Sequence, residues 1–246
     1  MVFKKLLLVD VLHLNPQHEH FLHYFVFCFS YAQLVSLFED IFIREEYYFV
    51  SSTQSPSIID AGSHLGMSVL YFKYIYPKSK ITAFEPDPDT FKLLLKNSET
   101  NHLKHVLFVN KAIAGRVGKK DFYYDERLPG STIMSLLKHR YHTAKKQVLV
   151  TELSLYIKEN KDLVKLDVEG MEQQVIDDLV RTNKVKNVQQ FIIEYHHHIP
   201  ETKDALSKLL VQLEKSSFSY QLTTLYKGPV IRKEYQDILV YATRQE

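Results

Sequence analysis

A chain of 246 residues with 45% hydrophobic content can bury one substantial core, so one α/β domain with an N-terminal extension is the simplest count. The formal net charge is only +2, and Lys and Arg are scattered apart from short pairs such as Lys119-Lys120 and Lys145-Lys146, read as a solvated face; nothing calls for nucleic acid or an acidic partner. Cys28 is the single cysteine, which excludes an internal disulfide and a Cys-based zinc site within the chain and makes a reducing, cytoplasmic compartment the default.

Residues 1–55 read as a helical or hairpin extension, a helix with a short strand, and 56–246 as the main domain. Lys4-Lys5 and Leu6 to Val9 begin like a signal peptide, but Asp10 ends the apolar run too early. Phe21 to Phe38 carries no Lys, Arg, Asp or Glu over about the length of a membrane span. It also holds His23, Tyr24, Ser30, Tyr31, Gln33 and Ser36, so a helix packed on the core, on a second subunit or on a membrane surface is expected instead. Phe25, Phe29 and Phe38 would form its face.

From Ile58 the pattern alternates short β-rich runs with longer helical ones, as a mostly parallel sheet with crossover helices requires. Ile58 to Ala61 predicts a first buried strand, and a helix follows Gly66 through Val69, Leu70, Phe72 and Tyr74 until Pro77. Ile81 to Phe84 predicts a second strand. Asp87-Pro88-Asp89 then starts a helix with Phe91, Leu94 and Leu95 inward. Val106 to Val109 is a third strand, Lys119 to Tyr124 an additional one, Leu163 to Asp167 a fourth and Val188 to Glu194 a fifth. A late helix from Asp204 to Lys215 precedes Tyr220 to Leu225 and Ile238 to Tyr241, a terminal antiparallel pair. Pro129-Gly130-Ser131-Thr132 reads as a surface turn, or a lid without chemistry of its own.

Ile58 to Gly66 is the most informative stretch, a buried strand entering a glycine turn that opens a helix. Glu85 ends the next strand about 25 residues after Asp60, where one βαβ unit brings an acid beside a ribose. A dinucleotide fingerprint needs two further glycines where His64 and Met67 stand, and no Gly-Lys-Ser/Thr follows as in a P-loop. Gly62 and Gly66 suit S-adenosylmethionine (SAM), which has a ribose and an amino-acid tail but no phosphate to cradle.

In open α/β sheets ligands lie at the carboxyl ends of the strands, here marked by Asp60, Glu85, Asn110, Asp167 and Glu194. Asp167 and Glu169 share a side if extended geometry persists, while Glu172 falls in a first helical turn and reads as a cap. His196 and His198 would point one way and His197 the other.

Asp60-Ala61-Gly62-Ser63-His64-Leu65-Gly66, Phe84-Glu85-Pro86 and Val164-Lys165-Leu166-Asp167-Val168-Glu169-Gly170-Met171-Glu172 resemble, in order and spacing, the motifs of the FkbM-type SAM-dependent methyltransferases. The resemblance spans roughly Tyr47 to Tyr195. It implies a class I methyltransferase fold, a Rossmann-like, doubly wound seven-stranded sheet with a reversed final hairpin. It also implies methylation of a hydroxyl on a sugar, glycan or other small molecule. Asp60, Gly62, Ser63, His64 and Gly66 would border the cofactor's methionine tail, Glu85 and Pro86 its ribose, with Asn110 nearby. Lys165, Asp167 and Glu169 would line the catalytic face. Two departures are His64, where asparagine is common, and Ser63, where alanine is usual.

Methyl transfer to oxygen needs alignment and removal of the hydroxyl proton. Asp167 is the first candidate base or metal ligand and His196 the second, with no metal assigned. Two other readings stay open: an NAD-type oxidoreductase on a similar sheet, and a non-catalytic SAM-fold module, with a second copy or a membrane surface as partner through residues 21–38.

Overall fold

The computed structural model describes residues 16–138, 142–197, 206–224 and 236–245. The run at 4–10, His198, Asp204 and Leu225 lie outside them.

The N-terminal segment combines a hairpin and a helix, and the helix expected over Phe21 to Phe38 occupies only the second half of that span. β1 (His18–Phe21) and β2 (Tyr24–Phe27) form an antiparallel hairpin, and only Tyr31–Phe38 is helical, as α1. The reason is periodicity: Tyr24, Val26 and Cys28 are buried at every second position, which is a strand's alternation. Asn97 and Asn101, one helical turn apart later in the chain, close the free edge of β2. Phe25 and Phe27 donate their N–H groups to the two side-chain oxygens (2.9 and 2.8 Å) and accept from the side-chain amides through their carbonyls (2.8 and 3.0 Å). Ser30 caps α1, which runs on into a π-helical turn at Glu39–Ile43.

The main sheet begins with β3 (Ser57–Ala61), followed by α2 (Met67–Ile75), β4 (Lys80–Phe84), α3 (Pro88–Thr100) and β5 (Val106–Val109). A small second sheet then comprises β6 (Ala112–Ile113), β7 (Gly118–Tyr124) and β8 (Ala144–Thr151). β8 is not foreseen from sequence. It buries Val148 and Val150 and exposes Lys145, Gln147 and Leu149. Its Lys145-Lys146 pair is bound: Lys145 meets Asp121 at 2.6 Å and Lys146 meets the Asp87 carboxylate, tying the small sheet to the start of α3.

The main sheet resumes with β9 (Lys161–Leu166), α4 (Glu172–Arg181), β10 (Val188–His197), α5 (Leu206–Lys215), β11 (Phe218–Thr223) and β12 (Gln236–Arg244). Its seven strands lie in the order β11-β12-β10-β9-β3-β4-β5, with β12 antiparallel to both neighbours and the other pairings parallel. Residue alternation splits its two faces. Ile59, Ala61, Val164 and Leu166 pack with Val175, Ile176 and Leu179 of α4 and Leu209 and Leu213 of α5. On the other face, Ile58, Ile81, Ala83 and Leu163 pack with Val69, Leu70 and Phe72 of α2, Leu94 of α3, and Phe21, Tyr24 and Val26 of the hairpin. The aromatic extension is therefore part of this core, and no helix among the described residues is long and apolar enough to cross a membrane.

From β3 the chain winds outward through β4 and β5, and from β9 in the opposite direction through β10. That reversal opens a crevice at the carboxyl ends of β3 and β9. β10 pairs with β9 only as far as Ile193, so Glu194 to His197 extend beyond it, held by β12 alone.

Candidate active site

The crevice encloses about 480 Å³. Gly62 forms its floor at φ +91°, and a Cβ there would sit on the Asp167 carbonyl oxygen and 3.0 Å from its carbonyl carbon. Only glycine lets the turn after β3 touch the end of β9, where Asp167 donates its N–H to the Ala61 carbonyl (3.0 Å). Gly62 and Ser63 both donate to the Phe84 carbonyl (3.0 and 2.8 Å), fixing the turn to the end of β4. Gly66, also at positive φ, starts α2, whose first residues Met67 and Ser68 line the crevice.

Glu85 is almost fully buried on the crevice wall. One carboxylate oxygen accepts from the His64 N–H (3.0 Å) and the other from the Asp87 N–H (2.8 Å). A carboxylate has about four lone-pair sites, so two remain free for ligand donors. Burial pushes its pKa up to about 8.

His64, at φ +48°, donates from Nε2 to the Gly130 carbonyl (2.7 Å). This bond draws the segment Gly130 to Met134 over the crevice, and Ser131 through Met134 line it. The tautomer leaves Nδ1 as a buried acceptor without a hydrogen-bond partner, and burial lowers the imidazole pKa, which keeps the ring neutral.

Lys165 is sealed below the floor. Its ammonium donates to the Gly62 carbonyl (2.7 Å) and Asp167 Oδ2 (3.1 Å), lies 3.5 Å from Asp60 Oδ1, and faces the Tyr47 ring at 5.0 Å. Burial opposes its charge, but Asp167 and Asp60 outweigh that and raise its pKa. It is a fixed cation that orients Asp167 rather than a group that exchanges protons.

At the other end, Glu172 is buried beneath the turn after β9. Its Oε1 accepts from the N–H groups of Val168 (3.2 Å) and Gly170 (3.0 Å) and from His196 Nδ1 (3.0 Å). It lies in the first turn of α4 as expected, but it ties down the turn before the helix rather than capping the helix's own N–H groups, and it also fixes the histidine. Glu169 takes a left-handed φ of +52°, held by the Ser135 hydroxyl donating to its carbonyl (2.7 Å). Its side chain points at His196, with Oε2 3.5 Å from Nε2, while Asp167 Oδ1 lies 3.9 Å from the same nitrogen. Burial raises the pKa of Glu169 well above the usual carboxylate value, and burial with the nearby Asp167 brings Glu194 up to about 8. Burial disfavours charge on His196, but Glu169 and Glu172 more than offset it and raise its pKa strongly.

Of the expected site residues, Gly62, Ser63, His64, Glu85, Pro86, Lys165, Asp167, Glu169 and His196 line this one crevice, and Asp60, Gly66 and Asn110 stand behind it. Asp60 accepts from the Ser68 hydroxyl (2.6 Å) and so anchors the start of α2. Asn110 donates to the carbonyls of Glu85 (2.8 Å) and Pro86 (3.1 Å), clamping that turn. Sequence reasoning missed Gln33, Asp40, Glu46 and Tyr47 from the extension and Asp237 from β12. No local sequence pattern marked either group.

The sequence pattern of the FkbM methyltransferase domain matches residues 60–222, which include the floor, wall and acidic end of this crevice. Among curated relatives, Methyltransferase 1 of Beauveria bassiana is 28% identical over 159 residues, covering 56% of this chain and 64% of that protein. Methyltransferase sdnD of Sordaria araneosa is 28% identical over 172 residues, covering 57% and 66%. The chain thus spans a little under two thirds of these relatives' own length. Among solved structures, M. jannaschii TYW2 in complex with AdoMet aligns with a TM-score of 0.50 at 13% identity, covering 93% of this chain and 86% of that one. A transferase of Pyrococcus horikoshii, PH0793, aligns at 0.52 and 12% identity, covering 100% and 84%. At such identities the likeness is one of fold, the class I methyltransferase sheet. By its sequence, the chain belongs to the FkbM methyltransferase domain family.

Proposed function

We propose that this chain is a SAM-dependent methyltransferase that methylates a hydroxyl group of a sugar, glycan or other small molecule. The observation that carries the reading is the family match over the residues that build the crevice. The crevice fits the cofactor physically. Seven acidic residues (Asp40, Glu46, Glu85, Asp167, Glu169, Glu194 and Asp237) line it against one lysine, and a ligand with net positive charge, such as a sulfonium with an amino-acid tail, would take the place of the protons that burial favours on Glu85, Glu169 and Glu194.

Glu85 offers its two free acceptor sites to the ribose hydroxyls, and the N-terminus of α2 faces the carboxylate of the tail. The bare Nδ1 of His64 suits a donor, so this histidine serves the cofactor's ammonium group rather than its carboxylate. Pro86, Ala112, Ile113, Phe122 and Met134 form an apolar wall fit for a planar base. When bound, the cofactor supplies an electrophilic methyl group. Glu169 and His196 flank the opposite end and supply the base for the hydroxyl proton in whichever of the two is deprotonated, while Lys165 holds Asp167 in place. Gln33, Asp40 and Glu46 give the acceptor's remaining hydroxyls polar partners.

The test is release of S-adenosylhomocysteine (SAH) from labelled SAM with a panel of hydroxylated sugars and small alcohols. Glu169→Gln and His196→Gln are expected to slow turnover by about 10²–10⁴-fold with cofactor binding retained. Methylation of amines but not alcohols would refute oxygen as the acceptor atom, and unchanged turnover in both variants would refute Glu169 and His196 as the base.

A further inference from the structure

The geometry points to a binding site for one first-row divalent cation, of the Mn²⁺ type, formed by Asp167, Glu169 and the Nε2 atom of His196. Their ligand atoms all lie within 4.8 Å of one another. The same histidine also groups with Glu194 and Asp237, so with Glu172 five carboxylates surround one imidazole.

The second observation is the state of the imidazole itself. His196 retains only 9% side-chain exposure, and its Nδ1 is committed to Glu172, a carboxylate that is itself buried. A metal-ligating histidine is normally held in this way, its far nitrogen bonded to a carboxylate so that the near one presents its lone pair. Nε2 makes no hydrogen bond among the described residues, and its nearest oxygens stand off at 3.5 and 3.9 Å. Those separations are too long for hydrogen bonds and leave room for an ion between the atoms.

The backbone agrees. Glu169 sits at a φ of +52°, a conformation costly for a side chain with a Cβ, and it brings the carboxylate to the same side as Asp167. Asp167 uses Oδ2 for Lys165 and turns Oδ1 toward the histidine. Two carboxylates with an imidazole favour a first-row transition ion over Mg²⁺, which prefers oxygen ligands alone. The inference stands whether or not the chain transfers methyl groups; with the cation bound, Glu169 and His196 would hold it, and the cation rather than they would lower the pKa of an acceptor hydroxyl.

The experiment uses the purified full chain, stripped with EDTA and dialysed, and titrates it with MnCl₂ while the free-ion electron paramagnetic resonance signal is followed. One saturable Mn²⁺ per chain is expected, with imidazole nitrogen coupling in the pulsed spectrum of the wild-type protein. Glu169→Gln and His196→Gln should each weaken binding by at least tenfold, and Glu172→Gln by about 10–100-fold through loss of the histidine's orientation. Glu85→Ala should leave Mn²⁺ binding unchanged while abolishing SAH binding, so the cation and cofactor readings fail separately. Absence of saturable binding to the folded wild-type chain would overturn the site. So would bound Mn²⁺ without nitrogen coupling, or binding that survives both Glu169→Gln and His196→Gln.

Discussion

Replacing Gly62 by alanine tests the central contact of the fold, the apposition of the turn after β3 to the end of β9. Two costs add. Gly62 has a φ of +91°, and a residue with a Cβ pays about 1–2 kcal/mol in the left-handed region. The new methyl group would also overlap the Asp167 carbonyl, a backbone atom that cannot swing aside, and such overpacking costs about 1–3 kcal/mol. The sum is about 2–5 kcal/mol, which for a chain of this length lowers the thermal midpoint by roughly 6–15 °C. Gly115→Ala is the control, because a Cβ there meets nothing closer than 3.6 Å. Thermal and urea unfolding of both variants, followed by circular dichroism, measures the difference. Equal stability of the two variants would show that the β3–β9 contact is not close-packed and would refute the reasoning.

His64→Asn should keep the main-chain bond to Glu85 and tolerate the positive φ, while losing the tie to Gly130. Hydrogen exchange in residues 129–134 is expected to quicken by about fivefold, with global stability changed by less than about 1 kcal/mol; unchanged exchange would mean the loop is held otherwise. Glu85 has its pKa raised to about 8 in the fold against 4.5 ordinarily, so the folded chain binds more protons than the unfolded chain between those values. Glu85 should therefore contribute a fall in the stability of the ligand-free protein as pH rises from about 5 to 8, of at most about 1.4 kcal/mol per pH unit. Glu85→Gln should flatten that slope in urea titrations at pH 5, 6.5 and 8, and an unaltered slope would contradict the assignment.

The parallel core was legible because each of its strands is an apolar run ended by a turn or an acid, as in Ile58 to Asp60 and Leu163 to Asp167. β8 was not, since Lys145, Lys146 and Gln147 hide a strand whose outer face is solvated. The hairpin at residues 18–27 was obscured for the opposite reason: aromatic residues fit a helix face as well as a strand, and Asn97 and Asn101, the groups that pair its edge, lie some 70 residues away in sequence. At the site, local motifs announced Gly62, Glu85 and Asp167. The gathering of Glu194 and Asp237 around them depends on β10 outrunning β9, a register that no local pattern encodes.

Isothermal titration of the full chain with SAH, beside the Glu85→Ala variant, tests the proposed function most directly. Saturable binding in the micromolar range, lost in a variant that remains folded, is the expected result. A folded wild-type chain that takes up no SAH would contradict the assignment of the crevice at the ends of β3 and β9 to this cofactor.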